Sequence, residues 1–173
     1  MSFPEALRES RIRRNLTQKA IGNIAGVEQS VFSKYENGIR PFPDDVAIKS
    51  MRFLKDPRLK IAYEYEKQSN IINMPLLNNV DENAVVVLDV FMEEATEAIE
   101  SAKKLKKLVR NKKSRNDFSD GEWAQYMDEV EQIADLSPAM KVLFVAMAEQ
   151  HGLDPDVISL RLKAKCKSKN YLL

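Results

Sequence analysis

The chain has 173 residues, with 27 Lys+Arg against 26 Asp+Glu and a formal net charge of +1. That length fits one domain, or a small domain with an extension, and 44% hydrophobic with 31% charged residues describes a folded chain rather than a disordered one. One Cys and one His exclude a disulfide framework, a multi-cysteine metal centre and a site needing two imidazoles, while 5 Gly and 7 Pro leave few turns and favour helices over many short strands.

In chain order, residues 4–14 read as a first helix, because Pro4 suits an early helical position that needs no amide donor. Thr17 is a good N-cap for a second helix over 18–25, and Gly26 interrupts it. A third runs over about 28–37, until Gly38 stops it. Residues 39–43 read as a loop, and Asp44 or Asp45 opens a fourth helix that ends near Leu54. Asp56–Pro57 is an N-cap followed by the first residue of a fifth helix, 57–67.

Residues 68–80 carry four Asn, a Pro and no charge until the next segment, and read as a linker. The alternative is a short docked segment held by Ile71, Ile72, Leu76 and Leu77. One long helix is expected over 81–113. Ala84, Leu88, Phe91, Ala95, Ala98, Ala102, Leu105 and Val109 form an unbroken heptad stripe along it. Packing against the helices after 119 and self-association are both open uses of that stripe. Ser119 and Glu122 make a capping box for a helix with Trp123, Met127, Val130 and Ile133 or Ala134 on one face. A further helix over 139–150 follows Ser137–Pro138 and ends at Gly152, and Asp154–Pro155 opens the last. Trp123 and the methionines are expected in the core. The fold class is therefore all-α: an N-terminal five-helix domain over 1–67, the linker 68–80, and a helical C-terminal domain over 81–173 containing one long helix.

Charge is unevenly placed. Residues 1–60 are net +5, 61–102 net −8, 103–115 net +8 and 116–173 net −4. The neutral total therefore hides a basic head. For 103–115, lysines bordering an apolar stripe are expected more than a contact with nucleic acid. Arg8, Arg13 and Arg14 fit either phosphate contacts or solvated helix charges.

Residues 18–37 read QKAIGNIAGVEQSVFSKYEN. Gly22 sits where the second and third helices must cross, and Gly26 sits in the tight turn between them, where positive φ is easiest for Gly. Ile21, Ala25, Val27, Phe32 and Tyr35 fall on the inward side. Gln29, Ser30, Ser33 and Lys34 fall together on the outward side of the third helix, as polar tips on a rigid rod.

This pattern resembles the phage-repressor-type (Xre/Cro-like) helix-turn-helix family of transcriptional regulators. The residues that carry the likeness are Thr17–Gln18, Ile21–Gly22, Gly26–Val27, the run from Ser33 to Gly38, and Arg40–Pro41. It spans roughly residues 5–67. The resemblance implies double-stranded DNA as ligand, with Gln18 at the backbone or a base, Gln29, Ser30, Ser33 and Lys34 at base edges, and Asn37 and Arg40 at phosphates. It also implies an Arg11–Glu36 ion pair with a structural role. Glu28 departs from the family, which has Ser or Thr there; its carboxylate repels phosphate, so no backbone contact is expected at 28. Val31 is also less polar than usual.

The expected function is that of a sequence-specific DNA-binding regulator, in the repressor sense, reading the major groove with residues 28–37. It is expected to act as a homodimer or higher oligomer through the C-terminal helices, with a regulatory protein partner as a further option. The competing class is an antitoxin-like or other interaction module whose C-terminal helices bind a partner protein. No nucleophile–base pair, phosphate-cradling Gly loop or metal-ligand cluster points to an enzyme, so no catalytic residue, metal or cofactor is expected. The charged start of the chain and the lack of a membrane-length apolar run lead to an expected cytoplasmic, nucleoid-associated location.

Overall fold

A computed structural model describes all residues except 70, 71, 76, 78 and 173. The described residues contain helices and no strand, and the chain forms two compact units, Met1–Asn78 and Asn79–Leu173. Ile71 and Leu76 of the docked-segment alternative lie outside the described residues; Ile72 is exposed and Leu77 half-buried.

The N-terminal unit is built from α1 (Phe3–Arg13), α2 (Gln18–Ala25), α3 (Gln29–Glu36), α4 (Asp44–Leu54) and α5 (Pro57–Glu66). Each start has a physical cause. Ser2 and Glu5 form a reciprocal capping box on α1, Thr17 accepts from the Ala20 amide on α2, and Asp56 accepts from the Arg58 amide on α5. The core is Phe3, Leu7, Ile21, Phe32, Val46, Leu54 and Leu59, with the small Ala6, Ala25, Ala47 and Ala62 letting helices approach. The segment read as a plain loop contributes to it. Phe42 meets Phe3, Phe32 and Tyr35 with ring centroids 5.1, 5.9 and 5.4 Å away.

Asp56 joins the end of α1 to the start of α5. Its buried carboxylate accepts from Arg13 at 2.7 Å and lies 3.6 Å from Arg14. Those two arginines therefore have an internal partner, which neither expectation for them had included. Burial pushes the Asp56 carboxyl upward, but hydrogen bonds from Ser10 and the Arg58 amide, with the charges of Arg13 and Arg58, outweigh it and hold the group below its ordinary value. A lowered carboxylate adds stability above the ordinary carboxylate range and loses it as pH falls through the folded value. Asp56→Asn is therefore expected to lower the melting temperature of this unit at neutral pH. The gap to the parent should close as pH falls through and below the ordinary carboxylate range. A gap unchanged at acid pH would assign the effect to shape rather than charge.

The C-terminal unit is built from α6 (Ala84–Leu108), α7 (Asp120–Ala134), α8 (Leu136–His151) and α9 (Pro155–Ser168), with one 3-10 turn at Arg115–Asp117. α6 packs against α7 and α8. It is shorter than the expected 81–113. Asn83 caps its start by accepting from the Val85 amide, and Asn111 takes φ 66° beyond its end. Gln150 of α8 clamps that start, donating to the Glu82 carbonyl and accepting from the Ala84 amide at 3.1 Å.

Several details correct the sequence reading. Of the expected heptad stripe, Ala84 and Ala98 are buried and Phe91, Ala95 and Leu105 half-buried, but Leu88, Ala102 and Val109 are exposed. The inward face instead runs through Val87, Ser101 and Leu108, because α7 and α8 approach α6 from that side. On α7, Met127 is exposed while Glu129 is buried and faces Lys104 at 3.4 Å. Met92 and Met140 are likewise exposed rather than core. α8 begins at Leu136, directly after Asp135, since Pro138 in the first turn needs no amide partner. Trp123 is half-buried, stacked on Tyr126 at 4.8 Å with Arg115 over its ring. In the basic run, Lys103, Lys104, Lys112 and Arg115 pair with Glu100, Glu129, Glu122 and Asp120. α9 buries none of its side chains.

Candidate nucleic-acid interface

The site begins at the crossing of α2 and α3. Gly26 holds φ 80° and ends α2 in the left-handed conformation. Gly22 lies under the turn: a Cβ there would stand 2.9 Å from the Val27 carbonyl oxygen and 3.4 Å from the Phe32 Cβ. Any larger residue therefore pushes the two helices apart. Glu28 stands at the N-cap of α3, and its side chain makes no capping bond. Its Phe32 is fully buried, and Ile21 and Ala25 of α2 lie on the same inner side, with Val27 and Tyr35 partly buried against them.

The opposite side of α3 is polar. Gln29, Ser30, Lys34 and Asn37 are exposed, Ser33 is half-buried, and the spacing of these residues keeps them on one face of the helix. Val31 is half-buried. Asn37 closes α3 and donates from its side-chain amide to the Ser33 hydroxyl at 3.2 Å. Arg40 is exposed just beyond, where its backbone amide donates to the Lys34 carbonyl at 3.2 Å. That bond folds the loop back onto the end of α3. Gln18 opens α2 and is half-buried.

A hydrogen-bonded chain connects this face to the interior. Arg11 grips the Glu36 carboxylate with two bonds, Nε to Oε1 at 2.7 Å and Nη2 to Oε2 at 2.9 Å, and its Nη1 reaches the Leu16 carbonyl at 2.8 Å. The Glu36 side chain is 1% exposed. Gln18 Nε2 donates to Glu36 Oε2 at 2.6 Å, and Gln29 Nε2 donates to Gln18 Oε1 at 3.3 Å. The ion pair expected from the resemblance is thus present. Its extension through Gln18 to Gln29 was missed, since residues 18, 29 and 36 meet only when α2 and α3 cross. Their identities were visible; their contact was not.

Chemically, the face offers amides, hydroxyls and one ammonium on a rigid support. Gln presents a paired donor and acceptor that suits the N6/N7 edge of adenine, and Lys suits guanine O6/N7. Among the described residues, no group of three or more His, Cys, Asp or Glu is placed to hold a metal ion. No described helix is long and apolar enough to cross a membrane.

Two short helices at a glycine-tightened crossing, the second with its polar face outward, define a helix-turn-helix DNA-binding domain. A family model described as a helix-turn-helix domain matches residues 4–54, covering α1 to α4. No curated protein and no solved structure matches the chain. The chain is in this general sense a DNA-binding regulator.

Proposed function

We propose that this protein is a sequence-specific transcriptional repressor of the phage-repressor type, and that it reads the major groove with α3 as a dimer. The observation that carries the reading is the outward face of α3, with Gln29 bonded to Gln18 and Gln18 anchored on the buried Glu36. A side chain held before binding loses less freedom on contact, so it discriminates bases better than a mobile one. In this reading Gln29, Ser30, Ser33 and Lys34 meet base edges, while Gln18, Asn37 and Arg40 meet the sugar–phosphate backbone at the two ends of the site. One recognition helix reads only a few base pairs. Two-fold symmetry doubles the site, with half-sites about 34 Å apart or a multiple of that. The helical C-terminal unit supplies the self-association, and the protein works as a non-enzymatic regulator in the cytoplasm, at the nucleoid.

The test is a set of duplexes selected by the purified full chain, followed by two variants measured on the selected site and on scrambled DNA. Lys34→Ala is expected to cost about 1–3 kcal/mol on the selected site and to relax preference at one base pair. Asn37→Ala is expected to weaken binding on all sequences alike and, because the side chain is neutral, to leave the salt dependence unchanged. Equal loss on both duplexes for Lys34→Ala removes it from base reading, and failure to select any motif overturns the reading as a whole.

A further inference from the structure

α6 carries a second apolar stripe that the described residues of its own unit leave largely exposed. Val85, Leu88, Met92 and Ile99 are exposed by 67, 40, 55 and 56%. With Ala95 and Ala102 they repeat at alternating steps of three and four residues, which is the period of a helix–helix seam. This stripe lies beside, not on, the face that meets α7 and α8, and it runs for about 26 Å at the helical rise.

We propose that a second copy of this chain covers the stripe, with the two α6 helices antiparallel. Charge decides the direction. Beside the stripe, the first half of α6 carries Asp89, and the second carries Lys103 and Lys106, followed by Arg110. A parallel pair sets acid against acid and base against base. An antiparallel pair sets each half against its opposite, and opposes the two helix dipoles as well.

Side-chain size sets the register. When Ala95 faces Ile99 of the second copy, Met92 faces Ala102 and Val85 faces Val109, so two of the bulky side chains each meet an alanine. Leu88 then lies along the aliphatic stem of Lys106. The exposed flank of this seam reads Asp89, Thr96, Lys103, Arg110. In the same register Asp89 stands between Lys103 and Arg110 of the second copy, and Thr96 lies near the two-fold axis.

The pairing rests on the dimeric part of the proposed function, and its test needs no DNA. In sedimentation equilibrium the full chain is expected at about twice its 19.8 kDa mass. Met92→Glu with Ile99→Glu is expected to give a single-chain mass with unchanged helical circular dichroism. Asp89→Lys alone, which faces Lys103 and Arg110, and Lys103→Asp alone, which faces Asp89, are each expected to weaken association roughly tenfold. The two together should restore part of it, since Arg110 is unchanged. A single-chain mass for the parent at tens of micromolar overturns the proposal, as does a dimer that survives both glutamates or a charge swap that restores nothing. A dimer that selects no DNA sequence sinks the repressor reading and leaves the pairing intact. A monomer that still selects a half-site sinks the pairing and the dimeric part of that reading, and leaves base reading by α3 intact.

Discussion

Glu36→Ala is expected to cost the N-terminal unit about 3–5 kcal/mol, because removing one member of a buried ion pair leaves the other charge without compensation. Arg11 is held by both carboxylate oxygens, and only the Leu16 carbonyl remains to it afterwards. The same change strips Gln18 of its acceptor and so releases Gln29. Amide hydrogen exchange in α1 to α5 measures the stability loss unit by unit. A loss below about 1 kcal/mol would place the pair with ordinary surface ion pairs. Arg11→Met with Glu36→Leu separates the two roles. With no orphaned charge, most of the stability should return, while sequence discrimination stays impaired because Gln18 has nothing to hold it.

Phe32→Ala is expected to cost a similar amount, about 3–5 kcal/mol, through lost burial and the cavity left behind. Phe32 is fully buried, meets the Phe42 ring edge-on at 5.9 Å, and lies directly beneath Gly22. It is the side chain that holds α3 down. Its removal should therefore weaken binding to every duplex, cognate or scrambled, in parallel with the loss of protected amides. This sets it apart from Lys34→Ala, whose effect is confined to the selected site and leaves exchange unchanged. A Phe32→Ala protein with parental protection would show that the crossing is held by Gly22 and the aromatic contacts of Phe42 with Phe3 and Tyr35 alone.

Local signals were the most legible part of the chain. Thr17, Asp56, Ser119 and Asp154 all cap the helices they were read as opening, and Gly26 and Gly152 end helices at positive φ. These effects act over three or four residues, so their causes lie side by side in the sequence. The outward and inward sides of α3 were readable for the same reason, from spacing within eight residues. The long helix shows where that legibility stops. Ala84, Leu88, Phe91 and Val87 form two overlapping heptad patterns, and period alone does not say which one is covered. α7 and α8 make the choice by packing on one of them, leaving Leu88 and Val109 exposed.

By itself the amino-acid order determined an all-helical chain and a glycine-tightened pair of helices with polar tips facing outward, because turns, caps and amphipathic faces depend on neighbours a few residues apart. The tertiary structure decided the rest: that Glu36 links Arg11 to Gln18, that Asp56 draws in Arg13 and Arg14, and that Phe42 closes the core from a loop. Each of these joins side chains far apart in the chain, at distances of hydrogen bonds or ring contacts, and such contacts exist only once packing has set the angles between helices.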